Sequence, residues 1–314
     1  MYRSLLLFLL SFTFLNAQNI KSNFLDSGSE IALLSFDKPS DVDELINQEV
    51  AKGQIFNFGR FVTCDINSDT KGSWTNVEGG KVWTLAIQAD EAKGISLYYD
   101  DFWIPSGGEL YIYNPSQSQK IGPFTSKNNP PSGVYATEVI YGDMLILEYF
   151  QPSHVMSELK LSINRFVYAY RDISGGQLSG YNSSDDCQVN ANCSEGNAWE
   201  NQKKSVCRIQ IGSGWNVGLC SGALVNNTLN NCTPYVLSAD HCFSGGDISD
   251  NDLNQSIFYF NYRSSNCNNS VPNNTHSITG CSRVANSGGE GNVGDPDFFL
   301  VELNSDPDFD PYFS

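Results

Sequence analysis

The sequence predicts an all-β protein built in two halves, and three observations carry that prediction. Runs of β-branched and aromatic residues with partial alternation recur along the 314 residues, punctuated by glycine, proline and asparagine turns. In the first half, a single stretch carries a helix signature with cap and stop. Cysteine usage then breaks sharply: of nine cysteines, at 64, 187, 193, 207, 220, 232, 242, 267 and 281, eight lie beyond residue 186. Strands of this kind bury their apolar faces by packing sheet on sheet, so the first half is expected to be an antiparallel β-sandwich.

The elements follow in chain order. "MYRSLLLFLLSFTFLNAQ" starts basic at Arg3, runs apolar from Leu5 to Leu15 and offers the small Ala17 for cleavage. The run is too short to span a bilayer, so residues 1–17 are expected to be an export signal. The alternative, an N-terminal core strand, has no reason to begin basic and end on Asn-Ala-Gln. Residues 18–175 form the first domain. In it "PSDVDELINQEVAKG" (39–53) predicts a helix, with Ser40 as cap, Asp43 three residues on, apolar Val42, Leu45, Ile46 and Val50, and Gly53 as stop. Strands are predicted over 81–89, 94–105, 109–115, 137–150 and 158–170. The polar "RDISGGQLSGYNSSDD" (171–186) has no periodicity, and residues 176–186 are read as a linker or processing region. Residues 187–314 are again β-rich, with strands predicted over 205–212, 216–225, 234–239, 256–262 and 297–303.

Composition narrows the function. A net charge of −17 argues against nucleic acid, whose phosphates would repel such a surface. No other stretch is apolar for long enough to cross a membrane, so a soluble product without an anchor is expected. The cysteines fit an oxidising, extracellular compartment and a disulfide framework. No C-x₂-C spacing and no H-E-x-x-H occurs, so no metal and no cofactor is expected. The first half carries little chemistry: His154 follows "QPS" in a loop, and Cys64 is a lone thiol or one end of a distant bridge.

The chemistry concentrates in "PYVLSADHCFSGG" (234–246). A histidine after an apolar strand is most often structural, but three features favour a general base at His241. A bridge from the adjacent Cys242 to Cys220 would fix its backbone. Gly245 and Gly246 leave room beside the ring. Downstream, "GDPDFFLVELN" (294–304) runs from acids into an apolar strand, so Asp297 at its mouth could accept the Nδ1 proton and hold the tautomer. Asp295, before Pro296, is the rival.

These residues carry a resemblance. "CSGALVNNTLNNCTPYVLSADHC" resembles the stretch around the catalytic histidine of trypsin-like serine endopeptidases, closest to the bacterial lysyl endopeptidase branch. Ser238 stands where that branch usually has threonine, and Asp240 occupies the variable place before His241. "CQVNANCSEG" is similar to the branch's mature N-terminus, and "FNYRSSNC" and "DPDFFLVELN" to two later strands. Residues 80–170 more weakly resemble the pro-region of such proteases. The resemblance implies that residues 187–314 are the first β-barrel of a double barrel, acting on protein or peptide substrates. It implies that His241 is the base and Asp297 its orienting acid, and that the first half packs on the peptidase as its pro-domain. It pairs Cys220 with Cys242 and Cys193 with Cys267, and assigns Cys187 a partner outside this sequence. Cys232 and Cys281 are expected to pair; Cys64 and Cys207 stay unassigned.

The trypsin-like chain order is His, Asp, Ser. After Asp297 only Ser305 and Ser314 remain, and neither has the Gly-Asp-Ser-Gly setting that builds an oxyanion hole. "DISGG" (172–176), "GSG" (212–214) and "NSGG" (286–289) read as linker or turns, and no Gly-x-Ser-x-Gly is present. The acids at 306, 308 and 310 lack the glycine and glutamate of a calcium loop. The expectation is therefore a secreted serine endopeptidase whose nucleophile and second barrel lie beyond residue 314, inactive as this chain alone, with a lysine preference implied only by resemblance. The alternative is a secreted binding or adhesion protein on a protease-like scaffold.

Overall fold

The computed structural model describes residues 12–16, 22, 24–25, 29–47, 55–173, 188–246, 248–267, 276–288 and 296–305. Among them the chain is mostly β, as expected. The first half supplies β1 (Phe12–Asn16), β2 (Glu30–Phe36), α1 (Val42–Asn47), β3 (Phe56–Asn67), β4 (Ser73–Val77), β5 (Gly80–Ala89), β6 (Gly94–Trp103), β7 (Glu109–Tyr113), β8 (Lys120–Phe124), β9 (Tyr135–Ala136), β10 (Ile140–Tyr141), β11 (Met144–Pro152) and β12 (Lys160–Ala169). The second supplies α2 (Glu200–Ser205), β13 (Val206–Ser213), β14 (Asn216–Val225), β15 (Tyr235–Ser238), α3 (Asp250–Asn254), β16 (Ile257–Phe260), β17 (His276–Thr279), β18 (Cys281–Asn286) and β19 (Phe299–Leu303).

One sheet runs β1-β2-β5-β11-β7-β8, with β4 also on β5; the facing strands run β10-β6-β12-β3, with β9 on β6. Between them lies a core that includes Leu85, Ile87, Leu97, Tyr99, Leu147 and Phe166. β5 and β11 are central and buried on both faces, so their runs read as nearly continuous apolar stretches rather than alternation. The 137–150 stretch, expected as one strand, divides at Gly142, whose φ of +107° L side chains rarely adopt. Ile140–Tyr141 pairs β6 in one sheet and Met144–Pro152 pairs β5 and β7 in the other, so the chain changes sheet at that glycine. β1 lies inside the segment read as an export signal and adds an edge strand antiparallel to β2. No helix among the described residues is long and apolar enough to cross a membrane.

The second half keeps the expected all-β architecture; among the described residues its strands run β17-β16-β13-β14-β15-β19-β18 as a curled sheet that does not close into a barrel. The end strands β17 and β18 are consecutive in the chain and meet at a sharp bend, Gly280, with φ +92°. There a Cβ would sit 2.6 Å from the Asn304 side chain, so the bend requires glycine. The curled sheet encloses its own core, with Ile209, Phe243, Phe258, Phe299 and Val301 among its members.

The two halves share a sheet. One edge of β14 pairs β13; the other is divided, with Asn216–Leu219 on β3 and Ala223–Val225 on β15. A third core straddles this seam, joining Phe58, Phe61, Tyr98 and Val167 to Val217, Ile257 and Tyr259. Polar groups cross it in hydrogen-bonded pairs. The Gln210 amide donates to Ser96 Oγ at 3.1 Å and Tyr98 OH at 3.3 Å, and its carbonyl accepts from Tyr259 OH at 3.0 Å. Arg165 donates to Asp252 at 2.8 Å and Gln255 at 2.7 Å while its guanidinium lies 4.1 Å from the Phe61 ring centre.

Candidate active site

Adjacent strand ends create the site. β15 and β19 pair antiparallel with Ser238 opposite Phe299 and Val236 opposite Val301. The chain leaves β15 at Ser238 and enters a 3₁₀ turn, Asp240–Gly246, while β19 starts at Phe299. Residues just after one strand and just before the other are thereby placed side by side. The turn is pinned beneath by Phe243, stacked on Phe299 with centroids 4.2 Å apart and planes 9° apart, both rings fully buried. It is pinned at the side by the Cys220–Cys242 disulfide, whose Cα atoms are 6.1 Å apart. β14 comes close enough for that bridge partly because residue 222 is glycine: a Cβ there would lie 2.7 Å from Val236 Cγ1.

His241 and Asp297 meet through both carboxylate oxygens. Nδ1 lies 2.7 Å from Oδ2, and the His241 backbone N–H donates to Oδ1 at 3.0 Å. The two side chains keep 36% and 30% of their exposure, so the pair sits at the surface with one side covered. Desolvation alone would raise the Asp297 carboxyl. The hydrogen bonds from the His241 backbone and ring, the attraction of the imidazole and the Asp240 backbone N–H outweigh it, and the net shift is downward. An ionised Asp297 accepts and cannot donate, which places the ring proton on Nδ1 and leaves the lone pair on Nε2. Nε2 lies 3.8 Å from Cys242 Sγ and, among the described residues, has no oxygen partner. Such a pair can take a proton at Nε2 and stabilise the resulting imidazolium.

Cys220, His241 and Cys242 have ligand atoms within 4.8 Å of one another, the spacing of a metal site. The two sulfurs are bonded to each other, however, so no thiolate is available to a cation. A second bridge joins Cys193 to Cys267. The expected Cys232–Cys281 pair is corrected: both are free thiols, Cys232 exposed in the loop before β15 and Cys281 buried. Cys281 opens β18 facing inward, its Sγ 3.6 Å from the Leu253 carbonyl of α3, which turns it away from the surface where Cys232 lies. Cys64 and Cys207 are also free, and desolvation pushes each thiol up to about 12. Cys187, Asp295, residues 306–314 and the glycines of "DISGG" lie outside the described residues. His154 is exposed in a turn, and "GSG" forms the β13–β14 hairpin with Gly214 at φ +57°.

Sequence reasoning passed over Asp240. Its side chain is fully buried, accepting from Asn286 Nδ2 at 3.2 Å and Ser287 Oγ at 3.0 Å. Its place beside His241 was the only signal, because the two donors come from a strand end 46 and 47 residues away.

Residues 181–314 match the family model described as lysyl endopeptidase, C-terminal domain. His241, Asp297 and both disulfides fall inside the match, which gives this part of the chain a lysyl endopeptidase-like relationship and relates it to a peptidase family.

Proposed function

We propose that the chain is part of an exported serine endopeptidase of the trypsin-like kind, with His241 as general base and Asp297 as its orienting acid. The observation that carries this reading is the 2.7 Å Nδ1–Oδ2 contact, made within a lysyl endopeptidase-like segment by a histidine braced through a disulfide. In the proposed mechanism a serine from sequence beyond residue 314 attacks the scissile carbonyl. His241 Nε2 takes its proton and later returns it to the leaving amine, while Asp297 holds the tautomer and stabilises the imidazolium. Substrates are proteins or peptides. Lysine at P1 is the family expectation, and the residues that would line that pocket are not among those described.

The leader-like residues 1–17 and the two disulfides support secretion. The continuous seam between β3 and β14 supports a first half that packs on the peptidase as a pro-domain, acting as folding template or cap. "RDISGGQLSGYNSSDD" contains no lysine, so maturation by self-cleavage after lysine is not the route proposed.

A fluorophosphonate probe applied to the full-length protein tests the reading. Labelling that disappears in His241→Ala supports it. No labelling of a folded, secreted protein would leave the binding-module alternative standing. Residues 1–314 alone are expected to hydrolyse nothing, and measurable peptidase activity from them would overturn the assignment of the nucleophile.

A further inference from the structure

We infer that Asp240 is a positioning residue that holds the His241–Asp297 pair in register through Ser287 and Phe298. The inference rests on the peptidase reading of that pair and adds a residue to it.

Asp297 precedes β19 and lies outside the β18–β19 ladder, whose last matched residues are Asn286 and Phe299. One further step of pairing lies beyond that end. The Ser287 backbone N–H donates to the Phe298 carbonyl at 2.9 Å, and the Phe298 N–H donates to Ser287 Oγ at 3.2 Å. The same Oγ donates its proton to Asp240 Oδ2 at 3.0 Å, while Asn286 Nδ2 donates to Oδ1 at 3.2 Å. A carboxylate only accepts, so its two oxygens match these two donors. Being fully buried, it has no water to substitute for either donor.

The Asp240 side chain therefore fixes the hydroxyl that receives the N–H of Phe298, the residue next to Asp297. Together with the His241–Asp297 bonds this makes a closed circuit: 241 to 297, 297 to 298, 298 to 287, 287 to 240, and 240 back to 241. Base and acid come from separate strands with no covalent link between them, and a pair of this kind works only within a few tenths of an ångström of its productive geometry. The circuit supplies that constraint.

The test reads the pair itself and does not need the nucleophile, so it is separable from failure of the peptidase reading. In the histidine-¹⁵N-labelled protein, the Nδ1–H proton held by Asp297 should give a low-field resonance, assigned by its loss in His241→Gln. Asp240→Ala should abolish or strongly broaden that resonance. Ser287→Ala, a milder change that keeps the buried carboxylate, should do the same to a smaller degree and decides the matter if Asp240→Ala does not fold. Asp240→Asn keeps an acceptor for the Ser287 hydroxyl but sets its amide N–H₂ against the Asn286 donor, so it should weaken the resonance less than Asp240→Ala does. In a chain carrying the nucleophile, Asp240→Ala should lower kcat about tenfold at unchanged KM. An unchanged resonance in both Asp240→Ala and Ser287→Ala would overturn the inference.

Discussion

Two carboxylates in this molecule are held in opposite ways. Asp297, at the surface, is surrounded by N–H donors and an imidazole, and its carboxyl is driven down. Glu138, at the seam between the halves, is desolvated and, among the described residues, has one neutral donor, Ser277 Oγ at 2.7 Å; its carboxyl is driven up. Burial raises both, and the partners decide the outcome. Where the surroundings stabilise a charge, the fold has built an acceptor suited to orienting a base. Where they suppress it, the fold has built an interface. The seam is accordingly held by apolar rings and neutral amides, with the Arg165–Asp252 pair at one margin.

The largest effect expected from this contrast lies at the site. In a chain that includes the nucleophile, Asp297→Asn should cut kcat by about 10⁴-fold, because an amide can donate toward Nδ1 and favour the wrong tautomer. Steady-state kinetics on a peptide substrate measures it, and a loss below tenfold would mean that Asp297 does not orient His241. At the seam the expected effect is on stability. Phe61 is 2% exposed, sits edge-on to Tyr98 with centroids 4.8 Å apart, and carries the Arg165 guanidinium on its face. Phe61→Ala should cost about 3–5 kcal/mol. Urea unfolding followed separately in each half should show both shifting together. Two independent transitions, with only the first half shifted, would show that the halves do not share a core energetically.

The strands that position the site were legible because their apolar runs are continuous and bounded by turn residues, as in "PYVLSA" and "DFFLVEL". His241 and Asp297 stand beside such strands, but the pattern alone left Asp295 as a rival acid, and the choice of Asp297 came from the resemblance. The seam was not legible. β3, "FNFGRFVTCDIN", mixes glycine, arginine, cysteine and aspartate into a strand. Gly59 is there because a Cβ would lie 2.5 Å from Val167 Cγ1 on the neighbouring strand, a packing demand with no local signature. Likewise, nothing near Cys281 announces that its side chain points at the Leu253 carbonyl and not at Cys232. Periodicity reports which face of a strand is buried, but it does not report which distant strand occupies its edge, and β14 divides that edge between β3 and β15.

The smallest expected effect bears most directly on the contrast. Glu138 faces Ser277 from β17, Tyr259 from β16, and Tyr135 and Tyr141 from its own half, with Arg208 of β13 beyond Tyr141 and Tyr259. Its folded-state value is raised above the ordinary 4.5. Its contribution to stability is therefore fully present at pH below that ordinary value. As pH rises, the unfolded chain releases the proton first, and the contribution is lost through the folded value. Asp297 has the opposite sign: its stabilisation is present above the ordinary 3.8 and is lost as pH falls through its depressed value. Glu138→Gln keeps an acceptor for Ser277 and removes the titration. Stability measured by denaturant against pH should match the parent in acid and exceed it increasingly above pH 4.5. Asp297→Asn should instead fall below the parent at neutral pH and converge with it in acid. Parallel curves for Glu138→Gln across the range would mean that the seam leaves Glu138 solvated, and the distinction between the two carboxylates would collapse.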